Sequence, residues 1–81
     1  MVGRDTFAKI PKERVGILIG EEGRVKKHIE DKLQVTLEID SEGSITIILS
    51  EKATDPSMLL KAKDVVTAIG RGFAPDVAFR L

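Results

Sequence analysis

Val15-Gly16-Ile17-Leu18-Ile19-Gly20-Glu21-Glu22-Gly23-Arg24-Val25-Lys26-Lys27-His28-Ile29 sets two glycines around two residues, between an apolar run and an amphipathic helical pattern. Gly20 and Gly23 carry no Cβ, so the chain can reverse there and another backbone can come within hydrogen-bonding distance of its amides. A helix opening at Arg24 has free N–H groups and a positive dipole end, both of which favour anions. Arg24, Lys26 and Lys27 crowd its first turn, where a helix start by itself prefers Asp or Glu. The local design therefore suits a phosphate backbone.

Outward from this stretch the elements fall into a simple order. Thr6 to Ile10 has β-branched and aromatic character and stops at Pro11, which predicts a short strand. Lys12 to Leu18 predicts a short helix with Val15, Leu18 and Ile19 facing a core and Lys12 and Arg14 in water. Gly16 is a weak residue inside that helix, costing about 1 kcal/mol relative to Ala. Close approach by another backbone explains it, and so does tight helix packing. Val25, Ile29 and Leu33 form an i, i+4, i+8 stripe, predicting a helix over residues 24–33 with Lys26, Lys27, Glu30 and Asp31 on the other faces. His28 lies beside the stripe and is given no role.

Val35, Leu37 and Ile39 alternate with Thr36 and Glu38, the period of a half-buried strand. The turn Asp40-Ser41-Glu42-Gly43 and the apolar run Ser44 to Leu49 complete a hairpin, its second strand placed deeper in the sheet. Asp55-Pro56 reads as an N-cap and first helical position. Met58, Leu59, Ala62, Val65, Val66 and Ile69 then keep helical spacing until Gly70 and Gly72, predicting a helix that covers one sheet face. Ala74-Pro75-Asp76 opens a last short helical pattern carrying Val77, Ala78, Phe79 and Leu81. It breaks off at the final residue, so a longer natural polypeptide is expected.

Composition narrows the function. The 81 residues form one small domain. There is no cysteine and one histidine, His28, so disulfides, cysteine zinc sites and cysteine nucleophiles are absent and metal catalysis is poorly supplied. No apolar run approaches the roughly 18 residues that a membrane span needs, and no signal peptide opens the chain, a pattern expected of a soluble cytoplasmic domain. Thirteen basic and thirteen acidic residues cancel, with eight basic against six acidic in residues 1–32 and the reverse tilt beyond. Any nucleic-acid site is therefore local. Tyr and Trp are absent, and Phe7, Phe73 and Phe79 lie outside the loop, so aromatic base stacking is not the obvious device. The loop lacks the Gly-Lys-Ser/Thr of a phosphate-binding nucleotide loop, and no serine has a histidine partner at a suggestive spacing. The chain does not read as an enzyme.

The order strand, helix, Gly-x-x-Gly loop, helix, strand, strand, helix resembles the type I KH domain over residues 5–70. The loop is Gly20-Glu21-Glu22-Gly23, with Val15-Gly16-Ile17-Leu18-Ile19 before it and a helix and hairpin after it. The resemblance implies an α+β fold: a β-α-α-β-β-α order, with a three-stranded antiparallel sheet packed by three helices, plus the short C-terminal segment. It also implies that the loop clamps the backbone of about four unpaired RNA nucleotides while bases lie across an apolar groove. Gly16, Ile17, Gly20, Glu21, Glu22 and Gly23 match the family's contact positions, Ile39 matches the strand side of the groove, and Arg24 and Lys27 supply positive charge. Glu22-Gly23-Arg24-Val25-Lys26-Lys27, Leu59-Leu60-Lys61-Ala62-Lys63-Asp64-Val65-Val66 and Arg71-Gly72-Phe73-Ala74-Pro75 are similar to the first KH domain of archaeal relatives of the eukaryotic partner-of-Nob-one assembly factor.

That membership implies single-stranded, small-subunit ribosomal RNA as partner, ribosome assembly or translation proteins nearby, a second KH domain downstream and no cofactor. Two features depart from many family members: the acidic pair Glu21-Glu22 within the loop, and Lys26 where an aliphatic residue is common. The alternative reading is a KH fold whose acidic loop no longer binds nucleic acid and whose surface docks a protein. Exposed Phe73 and Phe79 would favour it.

Overall fold

A computed structural model of the chain describes residues 4–53 and 55–78. Three strands, β1 (Asp5–Lys9), β2 (Val35–Ile39) and β3 (Ser44–Leu49), form an antiparallel sheet in the order β1-β3-β2. The helices are α1 (Val15–Ile19), α2 (Arg24–Leu33), α3 (Ser57–Gly70) and α4 (Pro75–Ala78). The α+β fold implied by the resemblance is the fold observed. Strand β3 takes the central place because Ile45, Ile47 and Leu49 are all buried, and Ile47 is fully so. Enclosing such a side chain contributes about 1.5–3 kcal/mol.

All the deeply buried side chains of the sheet face the helices. Val35 and Leu37 from β2 join Leu18, Ile29, Leu33, Leu59, Ala62, Val66 and Ile69 in one core. Helix α3 lies across β1 and β3, as its apolar spacing predicts. The opposite face of the sheet carries Phe7, Lys9, Thr36 and Glu38, all exposed. In β1 the inward positions are Thr6 and Ala8, with Ile10 buried just past the strand, so Phe7 shares the outer face with Lys9.

Helix boundaries follow their caps. The Asp55 carboxylate accepts the Ser57 N–H at 3.0 Å and the Ser57 hydroxyl at 2.7 Å. Those Ser57 bonds hold the Asp55 carboxyl below its ordinary pKa. The predicted N-cap is therefore Asp55, although regular helix begins two residues on. The first predicted helix divides into a 3₁₀ turn, Lys12–Arg14, followed by α1. Of the last predicted helix, Pro75–Ala78 is helical, and residues 79–81, with Phe79, lie outside the described residues.

Two charged residues depart from the expected solvated role. Arg14 is half-buried: its Nε donates to the Ile69 carbonyl at 2.9 Å and a terminal guanidinium nitrogen donates to the Phe73 carbonyl at 3.2 Å. A cation thus covers the C-terminal end of α3, where the dipole is negative and carbonyls lack helical partners. Glu30 accepts the Leu37 N–H at 2.9 Å and ties α2 to β2. Helical periodicity put both residues on wet faces because it cannot see carbonyls or amides supplied by other elements. Arg14→Met, which keeps an apolar stem, is expected to lower unfolding free energy by about 1.5–3 kcal/mol in urea titrations, since the charge-assisted bonds to the Ile69 and Phe73 carbonyls are lost while the Ile69 carbonyl keeps only the Gly72 N–H.

Candidate nucleic-acid interface

The loop between α1 and α2 is a tight reversal. The Gly20 N–H donates to the Gly16 carbonyl at 2.9 Å, ending α1, and the Gly23 N–H donates to the Gly20 carbonyl at 3.1 Å. The Arg24 N–H donates to the Glu21 carbonyl. Several of the loop's amides are therefore committed internally, and the loop is less bare than the spacing of its glycines suggests. Glu21 and Glu22 are both exposed at its crest. Glu22 has φ 56°, a left-handed conformation that costs a non-glycine residue on the order of 1 kcal/mol. Helix α2 begins with no side-chain cap and no acidic residue in its first turn. Arg24 and Lys27 project into solvent beside that uncapped end, and Lys26 is half-buried.

The two glycines most informative about function differ in what the fold requires of them. A Cβ on Gly20 would stand 2.5 Å from the Val25 side chain and 2.8 Å from the Val25 backbone nitrogen, in a backbone with φ 76°. Gly20 is thus demanded by packing and conformation together. Gly16 is different: it is exposed in the helix, and a Cβ there would meet nothing within 4 Å. Internal helix packing does not account for it, which removes one of the two explanations open from sequence. The fold accepts a weak helix residue and leaves bare backbone facing outward. Ile17 beside it is 38% exposed.

Eight of the nine candidate contact residues, Gly16, Ile17, Gly20, Glu21, Glu22, Gly23, Arg24 and Lys27, therefore lie on one continuous α1-loop-α2 corner. Ile39 stands apart in sequence. It is half-buried at the end of β2, opposite Ile45, on the helix-facing side of the sheet. Sequence reading gave no weight to a separate cleft of about 530 Å³ lined by Arg24, Val25, His28, Pro75 and Asp76. The i, i+1, i+4 spacing placed Arg24, Val25 and His28 together, but nothing in the sequence placed Pro75 and Asp76 against them. Segment α4 borders this cleft while the loop crest stays exposed. Among the described residues there is no cluster of metal-ligating side chains and no helix long and apolar enough to cross a membrane.

Comparison with known proteins defines the class: the family model described as the Krr1 KH1 domain matches residues 9–81. The chain belongs to this family of KH domains. It is 56% identical over 83 residues to a KH domain-containing protein of Methanocaldococcus jannaschii, covering 99% of this chain and 37% of that protein. It superposes on Dim2p from Pyrococcus horikoshii OT3 with a TM-score of 0.91 at 44% identity, over 94% of this chain and 46% of that one. A chain of the a/eIF2alpha-aDim2p-rRNA complex from the same organism matches with a TM-score of 0.91 at 45% identity, over 94% of this chain and 44% of that one. The chain thus spans less than half the length of these relatives.

Stability measurements separate the two glycines. Gly16→Ala is expected to raise unfolding free energy by up to about 1 kcal/mol. Gly20→Ala is expected to lower it by about 1–3 kcal/mol, through steric overlap with Val25 and a left-handed backbone. Chemical denaturation of both variants checks the pair.

Proposed function

We propose that this domain binds single-stranded RNA in small-subunit ribosome assembly, with the Gly20–Gly23 loop gripping the phosphate backbone and Gly16, Ile17 and Ile39 bordering the bases. The observation that carries the reading is the close match to a chain of an rRNA complex, in a KH family whose fold this chain shares. The exposed backbone at Gly16, with no side chain over it and open space around it, supports it from inside the structure, because close approach by an outside backbone gives that glycine a purpose.

The chemistry divides the work. The uncapped start of α2 and the Arg24 and Lys27 side chains attract phosphate, which fixes the position of the strand without reading its sequence. Base edges exposed in an unpaired strand provide the selectivity. Glu21 and Glu22 oppose this electrostatically: unit charges about 4 Å apart interact by about 1 kcal/mol in water and about 4 kcal/mol near a protein surface. Both carboxylates are exposed and long enough to turn away, and their amides remain at the crest of the loop. We take the domain to be the first KH domain of a longer, cytoplasmic two-KH protein, acting beside ribosome assembly or translation proteins and needing no cofactor.

A second reading, protein docking by a fold that has lost nucleic-acid binding, is favoured by Phe73, 44% exposed beyond α3. Titration of the domain with short single-stranded RNAs at two salt concentrations separates the two. RNA clamping predicts salt-sensitive binding that strengthens in a Glu21→Gly, Glu22→Lys variant. It also predicts weakening by about tenfold in an Arg24→Gln, Lys27→Gln variant, with a shallower salt slope. No binding by any of these folded proteins contradicts the RNA reading and favours docking.

A further inference from the structure

A carboxylate is fixed on the β2 edge beyond the residues already assigned to RNA. The Ser50 N–H donates to the Gln34 carbonyl and the Asp40 N–H to the Ser44 carbonyl, so even-numbered residues of β2 bond to β3. The backbone groups of Val35, Leu37 and Ile39 therefore point outward, toward α2. Glu30 meets this edge at its midpoint: its Oε2 accepts the Leu37 N–H, and its Oε1 has no hydrogen-bond partner among the described residues. Beside it lies a pocket of about 380 Å³ bordered by Glu30, Asp31, Gln34, Val35, Ser50 and Lys52. Lys52 is exposed and makes no ion pair among the described residues. On α2, Arg24 stands about 9 Å along the axis from Glu30, and on β2, Ile39 stands about 7 Å from Leu37. The pocket thus continues the α1-loop-α2 corner at the end farther from the loop.

Charge decides what the pocket can take. Two carboxylates against one ammonium repel a phosphate and favour a neutral group rich in donors. An ionised carboxylate only accepts, and an ammonium only donates. Among the RNA bases guanine alone sets two donors, N1–H and the N2 amino group, beside an acceptor, O6, on its Watson-Crick edge. Uracil flanks its single donor with two carbonyls, which would face the carboxylate. We propose that this pocket is a guanine-selecting subsite for the nucleotide that follows the one at Ile39, an inference that rests on the RNA-binding reading of the loop. Glu30 accepts the guanine donors through Oε1, and Lys52 donates to O6. The bond from Leu37 holds the carboxylate in place before the base arrives, so recognition needs little further ordering. Glu30 is then a specificity-determining residue as well as the tie between α2 and β2.

The test is fluorescence anisotropy of the 81-residue chain with a short oligouridine and with the same RNA carrying a single internal guanosine, adenosine, cytidine or inosine. Guanosine is expected to tighten binding about tenfold over oligouridine, the discrimination typical of a two-bond base contact, with inosine, which lacks the N2 amino group, in between. Glu30→Gln keeps an oxygen for the Leu37 N–H and is expected to reduce the guanosine-to-uridine ratio to about twofold or less, and Lys52→Met to lower it about threefold. Circular dichroism verifies folding. A merely structural role for Glu30 would change the affinity for every RNA alike, so the ratio isolates recognition of the base. Salt-sensitive binding with equal affinity for all these RNAs overturns the subsite and leaves the loop reading standing, as does a guanosine preference that survives Glu30→Gln. Failure to bind any RNA overturns both.

Discussion

The arrangement depends on the close approach of Val25 to the bare α-carbon of Gly20. That contact lets α2 restart within a few residues of the end of α1, with its apolar stripe already turned inward. Val25 packs at the margin of the core, and Ile29 and Leu33 follow it into full burial. A side chain at Gly20 would push α2 outward at its first turn, and the displacement would be transmitted to both buried residues because close-packed interiors do not absorb it. The same reversal raises Glu21 and Glu22 to the surface and leaves the start of α2 uncapped. One steric constraint thus seats the core and shapes the candidate RNA-binding corner.

The regular elements were legible because their hydrophobic periods are clean. Val35, Leu37 and Ile39 alternate, Val25, Ile29 and Leu33 recur every four residues, and the helix and strands they imply have the predicted boundaries. Strand β1 is displaced by one residue from its expected span, because Pro11 stops the strand while Ile10 still bonds to the hairpin turn. The family was legible from local words around the glycines, since a reversal between two helices needs those residues at that spacing. Arg14, Glu30 and Lys26 were less legible. Arg14 is set by the arrival of α3's end and Glu30 by the edge of β2, and periodicity within one element carries no record of either.

The candidate site was legible for a similar reason. Glycine at position 16 is a departure from helix propensity, and such departures in an otherwise consistent sequence concentrate at functional sites. From sequence alone, packing explained it as well as contact did; the empty space around it removes the packing explanation. The acidic pair in the loop had no such resolution in the sequence. Its exposure gives the carboxylates room to turn into solvent.

The molecule therefore presents surfaces of different character: a helical corner with local positive charge, and a sheet whose outer face is exposed at Phe7, Lys9, Thr36 and Glu38. The most direct test of the account is amide chemical-shift mapping of the isotopically labelled domain during titration with a short unpaired RNA. The account predicts the largest shifts in residues 16–27 and at Ile39, with Phe7, Thr36 and Glu38 nearly unchanged. Shifts concentrated on the open sheet face, with the α1-loop-α2 corner silent, would contradict it.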